Sequence, residues 1–451
     1  MIKATLSKAA QWTDATLIGQ DAEFNGIAID SRLVEPGSLF VALKGYRHDG
    51  HDYIEDAKSR GASAALVSRL VATQLPLLLA KDVVQGLGQL ATVWQQLYGL
   101  LVIGVLGSNG KTTVKEMVTT ILQCHYGDTA VLATQGNQNN ELGVPLNLLR
   151  LNASHRAAVI EMGANSHGEI TRLGNIAQPD IAIITNAGLD HVAGFGGVEG
   201  AARANGEIFA TMEGNGIAIL NGDDPCQPIW HSQLGKRHCL QFGLNPGADV
   251  RGYWQPTPTG GQLSIDSPWG RTQCHLNLMG QHNALNALAA VSACLVLDVG
   301  LNTIAASLES ISPIKGRLKP QLSVSGALII DDTYNANPSS LLAALEALSS
   351  LSGKKILVLG DMAELGDAAE SWHTQAGYAA RSAGVECLLA VGDLARFATN
   401  SFGQGASHFA NNQALFKVML QQLGPGINVL IKGSRCMELE NVVENILQCS
   451  S

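Results

Sequence analysis

Leu101-Val102-Ile103-Gly104-Val105-Leu106 runs straight into Gly107-Ser108-Asn109-Gly110-Lys111-Thr112-Thr113, an apolar run that ends in a glycine-bearing Lys-Thr turn. The run reads as a buried strand. The turn reads as a phosphate cradle: small residues let backbone N–H groups crowd around phosphate oxygens, Lys111 can reach the outer phosphates, and a threonine hydroxyl can ligate Mg²⁺. Val114, Met117, Val118, Ile121 and Leu122 then recur at helical spacing, so the turn opens an amphipathic helix whose positive dipole end faces the phosphates. The eight-residue form of this pattern has its first glycine where this chain has Val105, which leaves the shorter G-x-x-G-K-T-T. Such a short match can be an ordinary glycine turn. The strand before it and the helix after it decide for nucleotide phosphate and imply an ATP-using enzyme.

Outward from this turn, 451 residues allow about three domains at ~150 residues each. Apolar residues make up 46% and charged residues 15%, which suits covered α/β layers and excludes a disordered chain. Twenty-nine Lys and Arg against 38 Asp and Glu give a formal charge of −9, which argues against a nucleic-acid partner. Neither a signal-peptide core nor a ~20-residue apolar span is present in the sequence, so a cytoplasmic protein without membrane insertion is expected. The eight cysteines are scattered singly, without a C-x-x-C pair, and read as reduced fillers.

The expected units are residues 1–98, 99–314 and 315–451. The first has extended runs at 26–30, 38–43 and 64–67 and a helical stretch at 51–60. The second alternates short apolar runs at 102–106, 157–160, 181–185 and 217–220 with helical stretches, which predicts a parallel sheet with helices on both faces. Residues 246–270, bearing Pro, Gly and Trp, read as a hairpin insertion, and 284–299 as a buried Ala- and Leu-rich helix. The third unit repeats the pattern, with strands at 327–330, 355–359, 387–391 and 428–431 and a helix at 341–351, a doubly wound α/β arrangement.

Ligands of open parallel sheets bind beyond the carboxyl ends of the strands, which directs attention to the polar residue after each apolar run. Glu161 is placed to hold Mg²⁺, although a strand-end Glu can equally cap a helix or pair with a lysine. Asp190-His191 follows the 181–185 run; the imidazole could reach metal or phosphate, or be structural. Asn137, Asn139 and Asn140 offer amides on a turn, or are simply an Asn-rich loop. Asp331-Asp332-Thr333-Tyr334-Asn335-Ala336-Asn337-Pro338 follows another strand, and Lys315-Gly316-Arg317 lies in the connecting segment. A cation there can swing onto a γ-phosphate on domain closure, or merely hold the linker at the surface.

Taken in order, G-S-N-G-K-T-T, G-N-Q-N-N-E-L-G-V-P, V-I-E-M-G-A-N, T-N-A-G-L-D-H, G-Q-H-N-A-L-N-A-L-A-A, K-G-R and D-D-T-Y-N-A-N-P resemble the Mur ligases of bacterial cell-wall synthesis over nearly the whole chain. Within that family, D-D-T-Y-N-A-N-P, Gly360-Asp361-Met362-Ala363-Glu364-Leu365-Gly366 and Lys432-Gly433-Ser434-Arg435 are similar to the member that joins D-alanyl-D-alanine to UDP-N-acetylmuramoyl-tripeptide. The D-N-P-R motif of the diaminopimelate-adding relative is absent. The resemblance implies a UDP-substrate domain of mixed α/β type, a central ATPase and a C-terminal Rossmann-like domain for the incoming amine, with ATP and Mg²⁺ as cofactors and a monomeric state. It implies that Gly107, Ser108, Asn109, Gly110, Lys111, Thr112 and Thr113 hold the nucleotide, with Lys111 on the β- and γ-phosphates. Thr112, Glu161 and His191 form the metal region, His282, Asn283 and Asn286 line the adenine side, Arg317 approaches the phosphates, and Asp332 lies near the ribose. Ser31, Arg32, Lys44 and Asp49, from D-S-R, L-F-V-A-L-K-G and D-G-H-D, fall in the part that holds the UDP end, and Asn137, Asn335 and Asn337 on the substrate side of the cleft. Another Mur-type ligase, a folylpolyglutamate synthase-like ligase and a nucleotide-binding module without turnover are the rival readings; the N-terminal motifs argue against the folate type.

One position departs from the family. Its A-K-G-E-I-F lysine, which becomes carbamoylated beside the magnesium site, is replaced here by Asn205 in Ala204-Asn205-Gly206-Glu207-Ile208-Phe209. A neutral amide cannot form the carbamate, which implies weaker binding of a second metal.

Overall fold

The computed structural model describes residues 1–189 and 192–448. Strand Leu101–Leu106 is an interior strand of a nine-stranded sheet, third from one edge, flanked in parallel by Ala157–Glu161 and Ile181–Ile184. Val131–Ala133 lies beyond Ala157–Glu161 on one side; Ile217–Asn221 and His238–Gly243 continue the other. The chain thus leaves Leu101–Leu106 toward one edge and returns to its other flank, so the glycine turn sits at the point where strand order reverses, the place where such sheets form a crevice. Aliphatic side chains on both faces explain the unbroken apolar runs: Val102 and Leu106 pack into one core with Ile160 and Ile184, and Ile103 and Val105 into a second with Met117, Ile121 and Ala287.

The first of those cores continues into the N-terminal residues Ile2, Leu6 and Phe24 and the helix Val83–Gln96, whose Trp94 Nε1 donates to the Leu151 carbonyl at 3.1 Å. The N-terminal segment itself has a five-stranded sheet, Thr16–Ile18, Leu77–Leu79, Ala64–Val67, Leu39–Val41 and Ile27–Ala28 in spatial order, and a small ribbon of Lys3–Thr5 with Glu23–Asn25. After the central sheet, a six-stranded sheet orders Lys319–Leu322, Leu328–Asp332, Ile427–Lys432, Lys354–Leu359, Cys387–Val391 and Ala406–Phe409, all parallel except the first.

Three expectations are corrected. The 246–270 stretch is no simple hairpin: Val250–Thr257, Gly260–Ser267 and Gly270–Leu276 form a three-stranded meander that extends the central sheet to its edge. Its alternating polar and apolar residues pack Leu263, Ile265, Cys274 and Leu276 inward, and Pro256 sits near the end of a strand where a lost N–H costs little. The buried helix is Gln281–Leu295, starting earlier than the Ala/Leu run because Gly280 ends the preceding chain with φ 89°. Glu161, Asp331 and Asp332 are the last residues of their strands rather than residues following them, so register fixes their positions. No helix among the described residues is long and apolar enough to cross a membrane.

Candidate active site

The turn after Leu101–Leu106 depends on two glycines. Gly107 has φ 124° and Gly110 φ 85°; an added Cβ would stand 2.1 Å from Thr185 Oγ1 at the first and 2.3 Å from Asn286 Oδ1 at the second. Asn109 between them is clamped: its N–H donates to Asn186 Oδ1 at 2.9 Å, and its carbonyl accepts from Asn186 Nδ2 at 2.9 Å and Thr185 Oγ1 at 2.6 Å. Helix Lys111–Tyr126 begins at once, without a side-chain cap, which leaves its first N–H groups to a ligand. Lys111 Nζ bends back over the turn and donates to the carbonyls of Gly107 at 2.6 Å and Ser108 at 3.1 Å.

A cavity of about 470 Å³ opens at this turn, and its far wall comes from the six-stranded domain. Ser108 to Thr113, Asn137, Glu161, His282, Asn283, Asn286, Arg317, Asp332, Asn335 and Asn337 all line it, so residues up to 229 positions apart in the sequence converge on one cavity. Gly107 shapes the turn from behind. Direct bonds join the two walls: Arg317 Nη2 donates to Thr112 Oγ1 at 3.0 Å, Asn337 Nδ2 to Asn109 Oδ1 at 3.0 Å, and the Leu189 N–H to Ser339 Oγ at 3.2 Å. The Arg317 guanidinium also lies 4.3 Å from the centre of the Tyr334 ring, a stacking that fixes its plane.

Glu161 is 2% exposed. Its Oε1 accepts from Asn139 Nδ2 at 2.8 Å, while Oε2 is sealed from solvent with no partner among the described residues. A buried, unpartnered carboxylate oxygen beside a phosphate cradle fits a divalent cation, which would complete its shell from Thr112, water and phosphate oxygens. No group of three His, Cys, Asp or Glu residues arranged for a metal exists among the described residues, so such an ion would take much of its shell from the nucleotide. His191, expected in this region, lies outside the described residues. Asn205 is half-buried in helix Val198–Gly206 and is not part of the cavity lining.

On the opposite wall, parallel register sets Asp332 beside Lys432, and their side chains pair at 2.6 Å with Lys432 only 2% exposed. Lys432 Nζ also donates to the Asn335 carbonyl at 3.0 Å. Neither Lys432 nor Asn186 is among the sequence candidates; each lies inside a recognised motif, but only the strand pairing reveals what it touches. Asn139 was noted without a role, and the structure makes it the residue that orients Glu161.

His282 retains partial exposure as a residue, yet its Nδ1 is sealed with no partner among the described residues. Burial pushes its pKa down to about 4, against the pull of Asp332 and with the push of Lys432. Between about pH 6.5 and 4 the unfolded chain therefore takes up a proton that the folded one refuses, and stability falls with pH over that window, by on the order of 3 kcal/mol from this residue. Denaturant titrations at pH 7 and 4.5 should show a smaller acid loss for His282→Gln than for the native chain; equal losses would refute this.

None of the N-terminal candidates lines this cavity. Asp30 is held at a pKa of about 2 by its bonds to Arg32, chiefly the 2.6 Å contact with Nη2. Asp49 is held there by the His51 backbone and ring, with His51 Nδ1 at 2.6 Å, while Lys44 bridges to Asp49 along the backbone and Ser31 is buried at the start of its turn. His51 was missed as a site residue. It is buried, and its Nε2 accepts the Ser68 N–H at 3.0 Å, so it ties the Asp49 loop to the strand end after Val67.

A glycine turn between a central parallel strand and a helix, facing a second doubly wound domain across a shared cleft, defines a two-walled phosphate-loop nucleotide enzyme. Residues 105–294 match the Mur ligase middle domain, 316–435 the Mur ligase glutamate ligase domain, and 23–89 the Mur ligase family catalytic domain. The chain belongs to the Mur ligase family. The UDP-N-acetylmuramoyl-tripeptide--D-alanyl-D-alanine ligase of Escherichia coli (strain K12) is 40% identical over 98% of each chain. A crystal structure of MurF from Acinetobacter baumannii aligns with a TM-score of 0.94 at 33% identity over all of both chains. That of MurF from Thermotoga maritima, in complex with ADP, aligns at 0.85 and 27% identity over 94% of this chain and 97% of that one.

Proposed function

We propose that the chain is an ATP-dependent amide ligase that joins D-alanyl-D-alanine to UDP-N-acetylmuramoyl-tripeptide, giving UDP-N-acetylmuramoyl-pentapeptide, ADP and phosphate in peptidoglycan synthesis. One observation carries the reading: the glycine turn and Arg317, from different sheets, meet at a single cavity in a chain whose named relatives match it from end to end. In this reading residues 1–98 hold the UDP end, 99–314 the nucleotide and 315–451 the amine, and the enzyme acts as a monomer in the cytoplasm.

The chemistry follows from what the cleft presents. A carboxylate is a poor acyl donor, so its oxygen must first become a leaving group by attack on the γ-phosphate, which brings two anions together. Lys111 leaves its own loop carbonyls for the outer phosphates, and the uncapped N–H groups of Lys111–Tyr126 take the inner ones. Arg317 moves from the Thr112 hydroxyl to the γ-phosphate side, adding a cation where charge develops. Mg²⁺, held by Glu161 and Thr112, would neutralise phosphate charge. His282, Asn283 and Asn286 line the adenine side and Asp332 the ribose side, while Asn137, Asn335 and Asn337 face the reacting carboxylate and the amine that displaces phosphate from the acyl phosphate. Bonds across the cleft hold the two walls together around the site, where bound substrates would displace the water that hydrolyses a mixed anhydride.

The deciding measurement is ADP release with UDP-N-acetylmuramoyl-tripeptide, with and without D-alanyl-D-alanine. Dependence on both substrates supports the reading, whereas turnover with a folate and glutamate, or none with any amine, overturns it. The Asn205 departure adds a second expectation: Asn205→Lys should lower the Mg²⁺ concentration for half-maximal rate by severalfold, because a carbamoylated lysine restores an anionic ligand. Unchanged magnesium dependence and rate in that variant would remove this idea.

A further inference from the structure

The linker that carries Arg317 has a backbone that its own sequence does not hold. Gly316 has φ 76°, and Leu318 has φ 49°, a left-handed conformation that a leucine adopts only when its surroundings impose it. Carboxylates of the C-terminal domain supply the imposition. Asp331 Oδ2 accepts the Gly316 N–H at 3.0 Å, Asp332 Oδ1 accepts the Leu318 N–H at 3.2 Å, and Glu444 pairs with Lys315 Nζ at 2.6 Å. Arg317, between the first two pins, is the residue left to project into the cleft.

Asp332 is already engaged by Lys432, so its bond to the linker is one of several duties. Asp331 is different. It is 1% exposed, and its second oxygen, Oδ1, accepts from the Thr333 N–H at 3.2 Å and hydroxyl at 2.7 Å, contacts that turn Oδ2 toward the linker. We infer that Asp331 is a positioning residue: its buried carboxylate locks the left-handed linker and thereby sets the direction from which Arg317 enters the phosphate cleft. The inference rests on the proposed placement of Arg317 at the γ-phosphate. A residue that only caps its strand end would matter equally for any nucleotide and independently of Arg317.

Asp331→Asn separates these roles, because an amide keeps one acceptor and puts an N–H₂ group where the other oxygen stood, opposing either Gly316 or Thr333. Equilibrium binding of a non-hydrolysable ATP analogue and of ADP, both with Mg²⁺, is measured for the full chain, Asp331→Asn, Arg317→Ala and the double variant. Asp331→Asn is expected to weaken the triphosphate analogue about tenfold, leave ADP within twofold, and add nothing in the Arg317→Ala background. Equal weakening of analogue and ADP, no weakening of either, or additive losses in the double variant, overturns the positioning role while leaving the Arg317 assignment standing. Unchanged analogue binding in Arg317→Ala itself overturns that assignment and the inference with it. Should Asp331→Asn not fold, Thr333→Val, an isosteric change that removes one bond orienting the carboxylate, is expected to give the same triphosphate-selective pattern at twofold to threefold, and a loss shared with ADP or no loss at all would refute the role.

Discussion

Lys111→Ala should lower ADP release in the presence of both substrates by about a thousandfold, while ADP itself still binds. The two effects separate because the cradle has two kinds of donor. Backbone N–H groups of the turn and of the first helical residues are set by the φ angles of Gly107 and Gly110 and by the clamp on Asn109, whose bonds to Asn186 and Thr185 do not involve the Lys111 side chain. The lysine ammonium is the mobile part: it rests on two carbonyls of its own turn and has no acidic partner among the described residues, so its transfer to the outer phosphates trades neutral acceptors for charged ones. Alanine at the first position of Lys111–Tyr126 keeps the helix intact, and what it removes inside the turn is two neutral-acceptor bonds to the Gly107 and Ser108 carbonyls. Coupled ADP-release kinetics and equilibrium binding of ADP test both halves. A loss below tenfold, or loss of ADP binding in step with turnover, would mean that the cation is not the group that meets the transferring phosphoryl.

What was legible in the sequence was whatever is written locally. The 101–106 run, the glycine turn and the helix after it follow from adjacent residues, and the aliphatic runs at 157–160, 181–185 and 387–391 mark strands because both faces of a parallel strand are buried. The 250–276 meander was harder. Its strands have one packed and one more exposed face, with Pro and polar residues on the open side and buried glycines at Gly252, Gly260 and Gly261, so it reads as an interruption. The site divides the same way. Arg317 and Asp332 could be singled out because they stand in polar clusters beside apolar runs, but Lys432 earns its place only through a register that sets it against Asp332 from 100 positions away. The Lys432-Gly433-Ser434-Arg435 motif marks the segment, but nothing in it says which carboxylate the lysine meets. Asn186 is silent for the same reason: its clamp on Asn109 depends on the pairing of Ile181–Ile184 with Leu101–Leu106, a non-local fact. The left-handed Leu318 leaves no trace at all, since leucine carries no preference for that conformation and the carboxylates that enforce it lie 14 and 15 positions downstream.

Glu161→Gln should raise the Mg²⁺ concentration for half-maximal rate by between tenfold and a hundredfold and cut the rate at millimolar Mg²⁺ accordingly. The substitution changes almost no volume, and the hydrogen bond from Asn139 decides how it acts. Asn139 Nδ2 donates to Oε1, so the amide of a glutamine must turn its oxygen that way and place its N–H₂ group where Oε2 now stands. That is the sealed, unpartnered oxygen, and the replacement presents donors to the position a cation would occupy. The native carboxylate endures burial at 2% exposure with one oxygen unpaired, an arrangement that costs stability unless a cation relieves it. Glu161→Gln removes the buried charge, so the variant should unfold at higher denaturant than the native chain without Mg²⁺, and the native chain should gain more from added Mg²⁺ and nucleotide. Asn139→Ala should act in the same direction on magnesium dependence but more weakly, since it frees the carboxylate to rotate without removing its charge. Rate profiles against Mg²⁺ and paired denaturation curves measure all of this. An unchanged magnesium midpoint in Glu161→Gln would show that the orphaned oxygen serves packing and that the metal is held elsewhere.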